Sequence, residues 1–302
     1  MNPALKRLLE DLLNSALPAW LIRRYARHRT LILGYHNVVL GAGSPRGDRS
    51  LHLAVDVFAQ QLDLLAETCE VVPLTKIIEP NLTRRPRLAI TFDDAYRGAV
   101  TIGTAELRKR GLPATIFVAP AFVGGQAFWW DELTPPGAES PVIDRSMALG
   151  ALQGKDQAVR EWARQRSLGP FPAGEDQQVA TEDELRVATH TGLVTLGSHS
   201  WSHPNLATLP EPELAEELTR PLDWLRSRFE AVVPWLSYPY GCSSPLVEHV
   251  ARAKGYVAGL RIEGGWVRHP ERRPYEIPRL NVPAGISGPG FSLRTAAFVT
   301  AR

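Results

Sequence analysis

The sequence predicts an α/β protein in which strand–helix units close into a parallel barrel. Short apolar runs typical of buried strands alternate along the chain with segments of helical periodicity. About seven or eight such units can be counted, which favours a closed barrel over an open sheet. The chain has 302 residues, 44% of them hydrophobic and 22% charged, which is enough to bury a sizeable core.

The predicted strands are apolar runs that end in polar residues or turns. They are assigned to residues 30–36, 70–74, 87–94, 113–119, 193–199, 233–241, 256–260 and 275–282. In parallel barrels the chemistry lies where the strands end. We therefore expect the polar residues at these ends to meet at one mouth of the barrel: Asp93, Asp94, His199 and Tyr240.

Helical segments separate the predicted strands. They are assigned to residues 55–69, 100–111, 181–192, 210–229 and 244–255. We expect Asp56 to cap the first helix and Gly111 to end the second. Thr181 and Glu184 have the spacing of a capping box, and Pro221 is expected to interrupt its helix. A Pro- and Gly-rich insertion spans about residues 120–180.

Residues 1–29 are predicted to form an amphipathic helix that precedes a barrel domain at 30–302. A leucine stripe is followed by a basic cluster, so the helix either packs on the domain or contacts a membrane surface through anionic headgroups. No signal peptide or membrane-spanning run is predicted. The two cysteines do not form a C-x-x-C pair and are too few for a disulfide framework, which favours a reducing compartment. With no signal peptide predicted, we expect a cytoplasmic location.

The overall charge argues against one class of partner. The chain carries 34 basic and 32 acidic residues, a formal net charge of +2. This balance is too even to support nucleic-acid binding through bulk electrostatics. We therefore expect no nucleic-acid partner.

The segment LAITFDDAYRG, residues 88–98, ends a strand in two adjacent acids, Asp93 and Asp94. Like charges side by side repel, and packing gains nothing from them. An acidic turn at a helix end is the simpler alternative. The charge of a metal ion would make their closeness tolerable, and the two acids could then divide the work: one binds the ion and the other accepts a proton.

The segment LGSHSWSHPNL, residues 196–206, places His199 and His203 four residues apart after a strand. Two imidazoles and one carboxylate supply the three protein ligands of a catalytic zinc site, with positions left for water and substrate. The alternative is that one histidine is a structural residue with satisfied hydrogen bonds and the other is exposed. The same ligands also suit cobalt, nickel and iron, and zinc is the ion expected first.

Two further segments carry groups of interest. In LSYPYGCSS, residues 236–244, a rigid turn can aim a backbone N–H such as that of Tyr240 at a developing oxyanion, although for this motif taken alone a plain turn is the preferred explanation. In FWWDEL, residues 128–133, Trp129 and Trp130 either stack on sugar faces or belong to the core.

Together these motifs resemble the polysaccharide deacetylase family, also called the NodB-homology carbohydrate esterases, over about residues 30–302. The resemblance implies a distorted (β/α) barrel of about seven parallel strands and a metal-dependent hydrolase that removes acetyl groups from N-acetylated sugars. TFDDAY resembles the first family motif, which makes Asp93 the catalytic base and Asp94 a metal ligand. HSWSH matches the second motif and adds His199 and His203 as ligands; YPYG resembles the third, which lines the substrate groove.

The chain also departs from the family pattern. Ala95 stands where the first motif usually has glycine, and Ser237 stands where the third motif commonly has an arginine that orients the catalytic acid. We expect Arg279, in IPRLNV, to take over that role. The late histidine that usually serves as general acid has no match, and His36, in LGYHNV, is the candidate instead. A buried structural histidine is the alternative for His36.

The sequence therefore predicts a cytoplasmic, metal-dependent carbohydrate deacetylase that acts on an acetylated amino-sugar glycan or glycolipid. Two rival hypotheses stay open at this point. One is an amide hydrolase with a non-sugar substrate on the same barrel. The other is a catalytically idle carbohydrate-binding relative, which the missing arginine and late histidine would suggest.

Overall fold

The computed structural model describes residues 30–41, 47–81, 85–267 and 273–295. The predicted helix at 1–29, with its alternative of membrane contact, lies outside the described residues. Within them the strands are β1 (Thr30–Tyr35), β2 (Asn37–Val39), β3 (His52–Ala54), β4 (Glu70–Val71), β5 (Arg87–Phe92), β6 (Ala114–Val118), β7 (Val194–Ser198), β8 (Val232–Ser237), β9 (Ala258–Gly264), β10 (Trp266–Val267) and β11 (Ile277–Asn281).

The α-helices of the described residues lie mainly between these strands. They are α1 (Val55–Thr68), α2 (Thr104–Arg110), α3 (Trp129–Glu132), α4 (Asp156–Arg164), α5 (Glu182–Thr189), α6 (Glu211–Arg228), α7 (Pro245–Ala253) and α8 (Gly288–Thr295). Short 3₁₀ and π turns supplement them, including a π turn at Ala99–Gly103 that leads into α2.

Seven strands close into a parallel barrel, as the sequence predicts. The strands β5, β6, β7, β8 and β9 pair in this order, β11 follows β9, and β1 pairs with both β11 and β5. All pairings around this ring are parallel. β4 adds a short parallel pairing to β5, and β10 pairs antiparallel with β1.

Apolar side chains fill both faces of the barrel wall. The inner face holds one buried cluster contributed by several strands, including Ile32, Ala89, Phe117, Trp235 and Leu260. Neighbouring strand residues pack outward against the helices in two further clusters. Burial on both faces explains why the strands read as nearly continuous apolar runs. The predicted acids and the first histidine come directly after two of these strands: Asp93 and Asp94 follow β5, and His199 follows β7.

The helix boundaries confirm two predicted signals and correct two others. Gly111 adopts a left-handed φ of 64° and ends α2, and Thr181 and Glu184 form the expected capping box of α5. Asp56 does not cap α1, because the chain leaves β3 directly at Ala54 and Asp56 already lies in the first turn. Pro221 does not interrupt α6; it lies inside a helix whose buried leucines hold it against the barrel.

The insertion lies between β6 and β7 and carries α3, α4 and several short turns. It folds back onto the carboxyl end of the barrel, where Asn205 donates a backbone hydrogen bond to the carbonyl of Gln153 (2.8 Å) and a side-chain bond to that of Leu149 (3.0 Å). The insertion therefore supplies one wall of the mouth. Among the described residues, no helix is long and apolar enough to cross a membrane.

Candidate active site and metal centre

Asp94, His199 and His203 converge at the mouth of the barrel. The Nε2 atoms of the two histidines are 3.1 Å apart, and they lie 3.4 and 3.3 Å from Oδ1 of Asp94. A tetrahedral ion with bonds of about 2.0–2.1 Å holds its ligand atoms about 3.3 Å apart. The three ligand atoms therefore already have the spacing of a zinc coordination shell.

The chemistry of these three atoms also fits a cation. Oδ1 of Asp94 is buried and has no hydrogen-bond partner among the described residues. Nδ1 of His199 lies 2.8 Å from the carbonyl oxygen of Ser237, to which it donates its proton, so Nε2 presents a lone pair. Two electron-rich atoms facing each other in a buried site repel unless a positive ion lies between them. The residues present thus fit a divalent metal.

His203 is positioned differently from His199. Its Nδ1 is buried and has no hydrogen-bond partner among the described residues. Instead the ring is enclosed by aromatic side chains: the centroid distances are 4.6 Å to Tyr240, 5.0 Å to Trp130 and 5.6 Å to Phe128. The position of this ligand therefore depends on ring packing and on its own backbone.

Asp93 stands beside the three ligands and is held by Arg279. The guanidinium donates to both carboxylate oxygens, at 2.8 and 2.7 Å, and both side chains are almost completely buried. Burial raises the pKa of Asp93, but the charge of Arg279, followed by that of His199, more than offsets this and lowers the pKa to about 2. Asp93 is therefore ionised at neutral pH and separate from the metal ligands.

Arg279 makes the contact that the sequence analysis expects of it. Its Nη2 also donates to the hydroxyl of Ser237 (2.8 Å), and its Nη1 donates to that of Thr91 (3.2 Å). Its Nε donates to the carbonyl of Arg261 at 3.0 Å. Ser237, at the position where an arginine is common, thus helps to orient an arginine that enters from β11.

The backbone of the site is unusual. Of the seven described non-glycine residues with positive φ, five belong to the three motifs: Asp94, Ala95, Ser200, His203 and Tyr240. Left-handed backbone costs a non-glycine residue about 1–2 kcal/mol and persists only where the surroundings enforce it. At Ala95, φ is 52°, so the alanine at the position of the usual glycine adopts the left-handed conformation despite its steric cost.

His36 lines the same cavity, which has a volume of about 740 Å³ and is referred to below as the active-site cavity. The cavity also contains Asp93 and the three candidate ligands. Burial lowers the pKa of His36, whereas the charges of Asp94 and Asp93 act in the opposite direction. The structure thus brings together all six predicted site residues: His36, Asp93, Asp94, His199, His203 and Tyr240.

Tyr240 and the two tryptophans form the aromatic wall of the active-site cavity. Trp129 Nε1 donates to the hydroxyl of Tyr240 (3.2 Å), which in turn donates to the carbonyl of Gly154 (3.3 Å). Trp129 and Trp130 are only 5% and 6% exposed, yet both line the cavity. They therefore belong to the buried core, which was one of the two alternatives, and stacking on a sugar face stays a prediction.

A family model described as polysaccharide deacetylase matches residues 81–259. This stretch covers more than half of the chain and includes the segments of all three motifs. The chain belongs to the polysaccharide deacetylase family. It is accordingly a carbohydrate deacetylase, a hydrolase that removes acetyl groups.

Solved structures with the same fold include other deacetylases. IcaB from Ammonifex degensii superposes with a TM-score of 0.64 at 18% identity, covering 89% of this chain and 98% of that one. The Streptococcus pyogenes deacetylase PplD gives 0.60 at 16% identity, with coverages of 89% and 98%. A de-N-acetylase from Aggregatibacter actinomycetemcomitans gives 0.62 at 14%, with coverages of 88% and 99%. No curated protein sequence matches the chain.

A buried polar network that was not predicted from the sequence lies beneath the cavity wall of this deacetylase. Trp130 Nε1 donates to the hydroxyl of Tyr96 (2.7 Å), which donates to Oδ2 of Asp131 (2.6 Å). Oδ1 of Asp131 accepts from Nε2 of His52 (3.0 Å), and Asn37 donates to Nδ1 of His52 (3.1 Å). The sequence signal for this network was weak: Asp131 is a charged residue that directly follows the aromatic pair Trp129 and Trp130.

Glu217 was missed as well. Its carboxylate accepts hydrogen bonds from the segment between the two histidine ligands, although it lies on α6. In the sequence it is one of several acids on the polar side of a helix, and such residues usually face solvent. Nothing in its local sequence distinguishes it from its neighbours.

Proposed function

We propose that this deacetylase uses a divalent metal ion, with zinc expected first, to hydrolyse the N-acetyl group of an amino sugar in a polysaccharide, oligosaccharide or glycolipid. The observation that carries the proposal is the convergence of Asp94, His199 and His203 at zinc-ligand spacing, with ionised Asp93 beside them but outside the ligand set. Bound zinc would supply Lewis-acid chemistry, polarising a carbonyl and acidifying water.

The chain's own residues account for the proton transfers. Asp93 accepts the proton of the attacking water, because each of its oxygens uses only one lone pair toward Arg279 and keeps another free. The water oxygen bonds to the acetyl carbon and the carbon–nitrogen bond breaks. His36, which lines the same cavity, delivers a proton from its imidazolium form to the departing amine, so that the products are acetate and a free amino sugar.

The backbone N–H of Tyr240 is proposed as the donor to the developing oxyanion. Its left-handed φ of 58° is a strained conformation of the kind found at functional sites. The ring of Tyr240 is fixed by Trp129 and Gly154, which prevents the turn from relaxing. A preorganised donor of this kind contributes about 2.7–4 kcal/mol to transition-state stabilisation in other hydrolases.

Acetate release from N-acetylglucosamine oligomers and acetylated glycolipids, measured with and without added zinc, tests this function. We expect the wild-type protein to lose activity after chelation and to regain it with zinc. Asp93→Asn should bind zinc normally and release acetate at least a hundredfold more slowly. Equal acetate release by wild type and Asp93→Asn would refute the assigned base.

Asp94→Asn serves as the complementary variant. A ligand that binds only the folded state adds about 2.7 kcal/mol of stability at a hundred times its Kd. Zinc should therefore raise the melting temperature of the wild-type protein by several degrees and leave that of Asp94→Asn nearly unchanged. A cytoplasmic location, with or without membrane contact through residues 1–29, stays a prediction from the sequence.

A further inference from the structure

The segment between the two histidine ligands is held from outside the active-site cavity by a carboxylate of α6. Oε2 of Glu217 accepts hydrogen bonds from the backbone N–H groups of Trp201 (3.0 Å) and Ser202 (2.9 Å). Oε1 accepts from the hydroxyl of Ser202 at 2.6 Å. One half-buried carboxylate thus satisfies three donors on two consecutive residues, and charge-assisted bonds of this kind are the stronger ones in proteins.

A second contact from the same helix holds the same segment. The guanidinium of Arg220, one turn after Glu217, lies 3.9 Å from the centre of the Trp201 ring. The ring face attracts the guanidinium through its quadrupole, so this contact favours one position of the Trp201 side chain. From one face of α6, Glu217 therefore binds the backbone of Trp201 and Ser202, and Arg220 contacts the side chain of Trp201.

The segment of Trp201 and Ser202 depends on contacts from α6 because the backbone is strained on both sides of it. Ser200 has a φ of 61° and His203 a φ of 58°, both left-handed. The backbone N–H of His203 donates to the hydroxyl of Ser200 at 3.0 Å, which closes the segment into a tight turn. Conformations of this kind persist only when surrounding contacts enforce them.

The two ligands depend on this segment to different degrees. His199 directly follows β7, and its ring is fixed by the carbonyl of Ser237. His203 has no hydrogen bond to its Nδ1 among the described residues, so its ring is placed by the backbone of the turn and by the aromatic rings around it. Displacement of the turn would therefore move Nε2 of His203 while Nε2 of His199 stays in place.

We propose that Glu217 is a positioning residue for the metal site, which holds His203 at ligand spacing by anchoring the turn at Trp201 and Ser202. The inference rests on the proposed metal-dependent function. Residues outside the ligand set that orient ligands typically change metal affinity by 10- to 100-fold when they are removed. Glu217 would exert such an effect through backbone amides rather than through the imidazole itself.

The test is zinc affinity, measured on the folded, metal-free protein by competition with a chromogenic chelator. Glu217→Ala removes all three acceptors and should weaken zinc binding about tenfold or more. Glu217→Gln keeps an oxygen for the two amides, and the Ser202 hydroxyl can turn to accept, so its affinity should stay within about threefold of wild type. Glu216→Ala, at the neighbouring exposed position, is the matched control and should bind zinc like wild type.

Activity at saturating zinc separates positioning from a general structural effect. Acetate release by Glu217→Ala should recover toward the wild-type rate as zinc is raised above the Kd of the variant. If metal-free Glu217→Ala shows no cooperative unfolding, Ser202→Ala replaces it; this variant removes only the 2.6 Å bond and should weaken zinc binding about threefold. If the variant used, Glu217→Ala or its replacement Ser202→Ala, binds zinc as tightly as Glu216→Ala does, the positioning role of Glu217 is overturned and the proposed metal site is not affected. Absence of zinc binding by the wild-type protein would overturn the proposed metal site together with it.

Discussion

Arg279 holds both carboxylate oxygens of Asp93, although 186 residues separate the two in the chain. Asp93 directly follows β5 and Arg279 lies in the middle of β11, and both strands are neighbours of β1 in the closed barrel. Barrel closure therefore brings a cation from the last strand to the proposed base on an early strand. The geometry of the base depends on this contact.

Arg279→Lys should lower kcat by about tenfold to a hundredfold with little change in KM. Lysine keeps the positive charge but cannot donate two parallel hydrogen bonds, so Asp93 would lose its fixed orientation. Steady-state kinetics of acetate release measure the effect. A variant with wild-type kcat would show that charge alone, without the paired hydrogen bonds, is sufficient.

His36→Gln should reduce kcat by about 10²- to 10⁴-fold and leave zinc affinity unchanged. Glutamine retains hydrogen-bonding ability but cannot transfer a proton to the leaving amine at neutral pH. His190→Gln, at an exposed position at the end of α5, is the control and should behave like wild type. A His36→Gln variant that is as active as His190→Gln would favour the structural role for His36.

Gly154→Ala should lower kcat about tenfold by displacing Tyr240. Gly154 has a φ of 65°, and a Cβ atom there would lie 2.7 Å from Cε2 of Tyr240 and 2.9 Å from the backbone nitrogen of Asn205. Gly150→Ala is the matched control in the same insertion, because a Cβ at Gly150 meets no atom within 4 Å. If both variants have equal kcat, the position of Tyr240 does not limit the reaction.

Asp131→Asn should destabilise the protein by roughly 2–4 kcal/mol, because the buried hydroxyl of Tyr96 and ring nitrogen of His52 lose a charged acceptor. Asp223→Asn, at an exposed position on α6, should change the free energy of unfolding by less than about 0.5 kcal/mol. Chemical denaturation of both variants gives the comparison. Equal stability would mean that the network under Trp130 contributes nothing to the fold.

The sequence revealed most of the proposed site because its members come in adjacent pairs or short motifs. Asp93 and Asp94 are neighbours, and His199 and His203 are four residues apart, so spacing and strand ends were sufficient to predict them. The predictions for Asp56 and Pro221 were wrong for a local reason. Both predictions used residue type alone. In the structure α1 begins before Asp56, with Ala54 at the N-cap position, and the packing of α6 keeps that helix continuous through Pro221.

By itself, the sequence determined the alternation of strands and helices and the chemistry placed at the strand ends, because both follow from local periodicity and short spacings. The tertiary structure decided the remaining contacts. Only closure of the barrel pairs Arg279 with Asp93, and only the docking of α6 places Glu217 under the turn between the histidine ligands. The reason is physical: hydrogen bonds between distant segments depend on how strands and helices pack, and the residues that make them carry no local pattern that records their partner.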